Sequence, residues 1–94
     1  MTPREWNCMP SLAKQARLRR DPISGDPVLL HPEGILVLNS TAYDIVSRCD
    51  GATTVDSIAL ALASQYEITT ADVADEIMEC LGDLHRRNLI LFSW

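Results

Sequence analysis

The stretch of residues 28–51, VLLHPEGILVLNSTAYDIVSRCDG, decides the fold of this chain. It contains a short strand pattern, a tight turn at residues 32–34, a second apolar run at residues 35–38 and a helix start at Asn39. The second run has apolar side chains on both alternating faces, whereas a strand in a small antiparallel sheet usually has one face in water. Such a strand is either covered on both faces or leaves one of them for a partner to cover.

Two more segments before this run have the pattern of short strands. Residues 16–20 alternate between apolar and basic side chains, which predicts a half-exposed strand. Turn formers fill residues 21–27, and the apolar residues 28–31 follow as the next strand. Three short strands in succession with tight turns between them predict a three-stranded antiparallel meander.

Three helices are predicted after the meander. Asn39 or Ser40 can cap the first helix, which is expected to close at Gly51. Thr53 or Thr54 can cap the second, and Thr69 opens the third. The predicted fold is therefore α+β, a three-stranded antiparallel meander followed by three helices, with a likeness to a winged helix-turn-helix. Residues 1–15 are predicted to be a flexible N-terminal arm, and residues 16–94 the folded domain.

The third predicted helix has an unusually wide apolar face. On a helical wheel this face covers about 160°, whereas an ordinary core-facing stripe covers about 100° or slightly more. The residues on the wide arc are Val73, Ala74, Ile77, Met78, Cys80, Leu81, Leu84 and His85. Because the excess lies at the edges of the arc, this helix could form one wall of a groove beside the apolar strand.

Charge is polarised along the chain, whose formal net charge is −5. The bases of residues 1–20 are Arg4, Lys14, Arg17, Arg19 and Arg20, against the single acid Glu5. The charged residues within 67–83 are all acidic, namely Glu67, Asp72, Asp75, Glu76, Glu79 and Asp83. An acidic third helix is expected to repel a nucleic-acid duplex, because phosphate neutralisation supplies most of that affinity. Nucleic acid is therefore not an expected partner, although winged-helix DNA binding stays open as an alternative.

The sequence lacks the usual motifs of an enzyme. There is no serine or cysteine triad pattern and no glycine-rich phosphate loop. Cys8, Cys49 and Cys80 are far apart and not at ligand spacing, so no metal is predicted, and reduced thiols in a cytoplasm are expected. No apolar run approaches the roughly 20 residues of a membrane span. A cytoplasmic, non-enzymatic protein without a cofactor is predicted.

Several short motifs, taken in order, resemble the PqqD family. The first part of the resemblance consists of Arg17-Leu18, Leu29-Leu30-His31-Pro32-Glu33, Leu38-Asn39, Ala42, Ile45 and Cys49-Asp50-Gly51. The second part consists of Thr54, Ile58, Leu62, Tyr66, Val73, Glu76-Ile77, Cys80-Leu81, Leu84 and Asn88-Leu89-Ile90. It covers roughly residues 16–91. Two positions depart from the family pattern, since Asn88 stands where glycine is usual and Glu76 where aspartate is common.

The resemblance implies a peptide chaperone, a recognition element for ribosomally made and modified peptides. Such a domain binds the leader of a precursor peptide (PqqA-like) and presents it to a radical SAM enzyme (PqqE-like), here in pyrroloquinoline quinone biosynthesis. It further implies that the peptide adds as a strand in the groove between the third predicted strand and the third helix. The implied peptide-binding residues are Ile35, Leu36, Val37, Leu38, Glu76, Ile77, Cys80, Leu81 and Leu84.

The residues themselves agree with strand addition. Residues 35–38 carry neither a charge nor a proline, the devices that normally protect an exposed sheet edge. Backbone pairing along such an edge provides affinity, and pockets for alternate side chains provide specificity. Besides winged-helix DNA binding, three alternatives stay open: another modified-peptide pathway, pairing of the edge with a second copy in a homodimer, and packing of Leu36 and Leu38 beneath the helices.

Overall fold

The computed structural model describes residues 7–93, which form five strands and three helices. In chain order the elements are β1 (Met9–Leu12), β2 (Arg17–Arg20), β3 (Pro27–His31), β4 (Gly34–Val37), α1 (Ser40–Val46), α2 (Val55–Tyr66), α3 (Thr70–Arg86) and β5 (Ile90–Ser93). The predicted α+β class is confirmed. None of the helices in this part of the chain is both long and apolar enough to cross a membrane.

Strands β2, β3 and β4 form one antiparallel sheet in chain order. Leu18, Leu29 and Leu36 are cross-strand partners, and their side chains share the face that meets the helices. The turn between β3 and β4 is tight because His31 pairs with Gly34, leaving only Pro32 and Glu33 as the loop. Gly34 has a φ of +142°, a conformation that residues with a side chain rarely adopt.

The strand β1 corrects the prediction of a flexible arm over residues 1–15. Residues 9–12 pair with β5 in a second, two-stranded antiparallel sheet, and Pro10 is fully buried. The amide of Ala13 extends this contact by donating to the carbonyl of Leu89 at 2.9 Å. The pattern of residues 9–12 gave no sign of a strand, because its partner lies at the far end of the chain. Residues 1–6 of the predicted arm lie outside the described residues.

The turn at residues 49–51 was expected to end α1, but it lies beyond the helix and hydrogen-bonds to β1 instead. Helix α1 ends earlier than predicted, at Val46, with Ser47 as its cap. Gly51 is left-handed, with a φ of +78°, and its amide donates to the carbonyl of Pro10 at 2.9 Å. The Asp50 carboxylate accepts from the amides of Ala52 and Thr53, and the Ala52 amide is the main reason that the pKa of Asp50 is lowered.

The hydrophobic core lies between the sheets and the three helices. Every main element except β2 and β4 supplies a large residue that is less than 2% exposed; examples are Pro10, Leu29, Ile45, Ile58, Leu62, Ile77, Leu81 and Ile90. The helix starts follow the predicted caps: the side chains of Asn39, Thr54 and Thr69 each accept a hydrogen bond from an amide three residues on. Asn88 is left-handed, with a φ of +62°, directly after α3.

Candidate functional site

Strand β4 is an edge strand of the three-stranded sheet. The amide of Leu38, just beyond the strand, donates to the carbonyl of Pro27 at 2.9 Å, so the backbone of residue 38 faces β3. Hydrogen-bonding direction alternates along an antiparallel strand. The N–H and C=O groups of Ile35 and Val37 therefore point away from β3, toward the outer edge of the sheet. These are the backbone groups that an added strand would pair with.

The two faces of β4 differ in what covers them. The side chain of Leu36 is half-buried and packs against the core, and that of Leu38 is 7% exposed. The side chains of Ile35 and Val37 are on the opposite face and are 66% and 65% exposed. The apolar run thus has one face against the helices and the other face in solvent.

A groove of about 360 Å³ runs between the end of β4 and helix α3. Its wall on the strand side consists of residues 36–39, and α1 adds Thr41, Ala42 and Ile45. Helix α3 supplies the opposite wall with Glu76, Glu79, Cys80, Asp83, Leu84 and Arg86. The most deeply buried of these residues are Leu38, Ile45 and Leu84, which give the groove an apolar base.

The structure brings together six of the nine residues that the sequence and the resemblance pointed to. Leu36, Val37, Leu38, Glu76, Cys80 and Leu84 all line the groove. Ile35 does not line it, because the strand side of the groove begins at Leu36 and extends past the end of β4 to Asn39. Ile77 and Leu81 are also absent from the lining; both are 0% exposed and support α3 from within the core.

Two groups of lining residues were not predicted. Thr41, Ala42 and Ile45 of α1 line the groove. Glu79 and Asp83 of α3 line it as well, although neither is among the nine implied residues. The available signal was their spacing, since residues 76, 79, 80 and 83 share one side of a helix.

The α3 wall of the groove is negatively charged. Asp83 is neutralised in part by Arg87 at 3.1 Å and Arg86 at 3.7 Å. Within residues 7–93, neither Glu76 nor Glu79 has a cation within ion-pair distance. Burial raises the pKa of the Cys80 thiol most, and together with the nearby carboxylates of Asp83, Glu76 and Glu79 it brings that pKa to about 11. The groove therefore favours a guest with positive charge along this wall.

The groove contains a cysteine whose thiol is not activated. Its thiol, Cys80, is neutral near pH 7 because of its raised pKa, and burial likewise raises the pKa of the nearby Cys49 to about 12. A neutral thiol is a poor nucleophile and a poor metal ligand. Among residues 7–93 no cluster of three or more histidine, cysteine or acidic side chains is placed to hold a metal ion.

The fold and the groove define a small α+β domain with an exposed strand edge beside a helix. Known protein domains of the same kind match this chain. The family described as Coenzyme PQQ synthesis protein D (PqqD) matches residues 27–90. The chain belongs to the PqqD family.

Two relatives named PqqA binding protein align with this chain over most of their length. A PqqA binding protein of Rhodopseudomonas palustris (strain ATCC BAA-98 / CGA009) is 38% identical over 77 residues, which are 82% of this chain and 76% of that protein. A PqqA binding protein of Xanthomonas euvesicatoria pv. vesicatoria (strain 85-10) is 31% identical over 81 residues, or 86% of this chain and 88% of that protein.

A solved structure has the same fold. It is the solution NMR structure of the PqqD truncation of Methylobacterium extorquens PqqCD, described as a functional and stand-alone recognition element for ribosomally synthesized and post-translationally modified peptides. It is 30% identical to this chain, with a TM-score of 0.77 and coverage of 87% of each chain.

Proposed function

We propose that this protein binds the leader of a PqqA-like precursor peptide by strand addition at β4 and presents it to a PqqE-like radical SAM enzyme in pyrroloquinoline quinone biosynthesis. The observation that carries the proposal is the edge of β4, where the backbone groups of Ile35 and Val37 point outward beside an apolar groove. The membership in the PqqD family and the relatives named PqqA binding protein support it.

The edge of β4 would provide affinity for the guest peptide, and the groove would provide specificity. A guest strand accepts from and donates to the backbone of Ile35 and Val37, which gives affinity that does not depend on the guest's sequence. Alternate guest side chains then point toward the groove, where Leu38, Ile45 and Leu84 offer an apolar base. Successive residues of a strand face opposite sides of the sheet, so every second guest side chain faces the groove. The fit of those side chains to the groove determines which leader binds.

The domain would act on the peptide as a carrier and not as a catalyst. A disordered leader loses conformational freedom when it is ordered as a strand, so part of the contact energy is spent on that ordering. The gain is a peptide whose leader is held in one place while the remainder reaches the modifying enzyme. Binding of DNA along α3 is disfavoured by the same carboxylates that line the groove, Glu76 and Glu79.

The proposal can be tested by adding a PqqA-like precursor peptide to the isotope-labelled protein and following its amide resonances. The amides of Ile35 and Val37 are expected to shift most and to become protected from hydrogen exchange, because they gain hydrogen bonds to the guest. The amide of Leu18, in β2 at the other side of the sheet, serves as an internal reference. Saturable shifts that leave residues 35–37 unchanged would contradict strand addition.

Glu76→Lys is expected to weaken binding of a leader that carries Lys or Arg beside its docking segment. An exposed ion pair contributes about 0.2–1 kcal/mol, and reversal adds a repulsion of similar size, so the loss should be roughly twofold to thirtyfold at low salt. The loss should largely disappear near 1 M salt, where the Debye length is about 3 Å.

Asp75→Lys is the matched control for the Glu76 variant. It gives a similar change of charge on the same helix, but Asp75 does not line the groove. Isothermal titration calorimetry at two salt concentrations measures both variants. If the two variants weaken binding equally, the effect comes from overall charge and not from the groove wall.

A further inference from the structure

The outer face of the three-stranded sheet carries an ordered pattern of six residues, of which only Val37 also lines the peptide groove. Two rows of cross-strand neighbours run from β2 to β4 on the side opposite Leu36. One row is Arg17, Leu30 and Ile35, and the other is Arg19, Val28 and Val37. We call these six residues the outer sheet face. Each row begins with an arginine on β2 and ends with an exposed apolar residue on the edge strand.

The apolar part of the outer sheet face is continuous. Ile35 and Val37 are 66% and 65% exposed, and Leu30, which is half-buried, lies directly across from Ile35. Single exposed apolar residues are common on any protein, but contiguous ones mark contact sites. A hollow of about 320 Å³ lies on this face, lined by Val28, Leu30 and Ile35 together with residues 19–22.

The arginines bordering this patch have no acidic partner within residues 7–93. Their guanidinium groups donate to backbone carbonyls instead: Arg17 to Lys14 at 2.6 Å and Arg19 to Leu18 at 2.9 Å. Arg20, at the end of β2, donates to Gly25 and lies 4.7 Å from the centre of the Tyr43 ring. The hollow also contains the carboxylate of Asp21, which accepts from the amides of Ile23 and Ser24, and the arginines outnumber it, so this face has a local excess of positive charge.

We propose that the outer sheet face docks an acidic protein surface, in which apolar side chains contact Leu30 and Ile35 and carboxylates pair with Arg17 and Arg19. Arginine suits this role, because its planar guanidinium binds carboxylates through two parallel hydrogen bonds and is weakly hydrated. The charge complementarity selects the occupant: an apolar patch alone would accept many partners, whereas unneutralised arginines along one border favour carboxylates.

The partner is the enzyme that receives the peptide, an assignment that rests on the proposed function. A guest strand beside β4 would extend the sheet by one strand, and half of its side chains would lie level with Ile35 and Val37. A protein seated on the outer sheet face would then contact the domain and the guest together. The groove on the other face would remain filled by the remaining guest side chains.

The test compares Arg19→Glu, Ile35→Thr and the control Lys14→Glu. Lys14→Glu makes the same charge change as Arg19→Glu at an exposed position outside the strands. Biolayer interferometry with a PqqE-type radical SAM enzyme measures docking, and calorimetry with a PqqA-like peptide measures groove binding. Arg19→Glu should weaken docking about tenfold or more and Ile35→Thr severalfold, whereas Lys14→Glu should stay within about twofold. Peptide affinity should stay within about twofold for Arg19→Glu and Lys14→Glu, because neither residue lines the groove or belongs to β4.

Each other result has a defined meaning. Docking that is unchanged by Arg19→Glu, equally reduced by Lys14→Glu, or absent in the unmodified protein would overturn the proposal. It would also be overturned if Arg19→Glu converts a dimer of the chain into a monomer in sedimentation, because the occupant would then be a second copy. If the peptide fails to bind while Arg19→Glu still weakens docking, the docking surface stands and the proposed function fails.

Discussion

Val37→Pro is expected to weaken binding of the leader peptide at least tenfold while the domain stays folded. The Val37 N–H points to the outer edge of β4, so proline removes a donor that the sheet itself does not use. The loss of one hydrogen bond accounts for about 0.5–1.5 kcal/mol, and the proline ring obstructs the approaching strand as well. A factor of ten corresponds to about 1.4 kcal/mol.

Val37→Thr is the matched control, because threonine keeps the backbone N–H and the branched shape at an exposed position. Its affinity for the peptide should stay within about threefold of the unmodified protein, a change of less than about 0.7 kcal/mol. Circular dichroism and thermal unfolding of both variants establish that the domain is intact. A folded Val37→Pro variant with unchanged peptide affinity would rule out strand addition at β4.

Ile77→Ala is expected to lower the free energy of unfolding by about 2–5 kcal/mol, the usual cost of truncating a buried isoleucine. Its side chain is 0% exposed and belongs to the core cluster, although the sequence placed it among the peptide-binding residues. Native domains are stable by only about 5–15 kcal/mol, so this is a large fraction of the total. Chemical denaturation followed by circular dichroism measures the change.

The same variant separates a core role from a binding role. Where Ile77→Ala is still fully folded, its peptide affinity should be close to that of the unmodified protein, because Ile77 does not line the groove. Ile77→Val is the graded control and should cost about 0.5–1.5 kcal/mol of stability. A loss of peptide affinity in the folded Ile77→Ala protein, without a loss of stability, would place Ile77 in the site after all.

The parts of the fold that local chemistry determines could be predicted from the sequence. The helix starts at Asn39, Thr54 and Thr69 depend on side-chain oxygens that accept hydrogen bonds from backbone amides in the first turn of the same helix. The strands of residues 16–38 are consecutive, and tight turns connect them. The apolar character of β4 also indicated an edge where another chain could pair, and the structure places β4 at an edge.

The parts that depend on distant partners could not be predicted. Strand β1 pairs with β5 at the other end of the chain, and a periodicity search over a short window cannot see that pairing. The sequence also could not tell which side of β4 would meet the helices, so Ile35 was grouped with Leu36. Ile77 and Leu81 lie on the same arc as Cys80, and only packing separates the buried centre of that arc from its groove-lining edge.

The pairing of β1 with β5 has a consequence for how the domain can be tethered. Met9 and Ser93 are cross-strand partners, and such partners lie about 4.5–5.5 Å apart. Asn7, the first described residue, is only two residues from Met9, so the two ends of the described chain are close together in space. A neighbouring protein attached through a linker at either end would start from the same point on the surface and explore nearly the same volume around it. Attachment at the N-terminal or at the C-terminal end would then give the attached protein nearly the same range of positions. The length of the linker would determine its effective concentration at the domain.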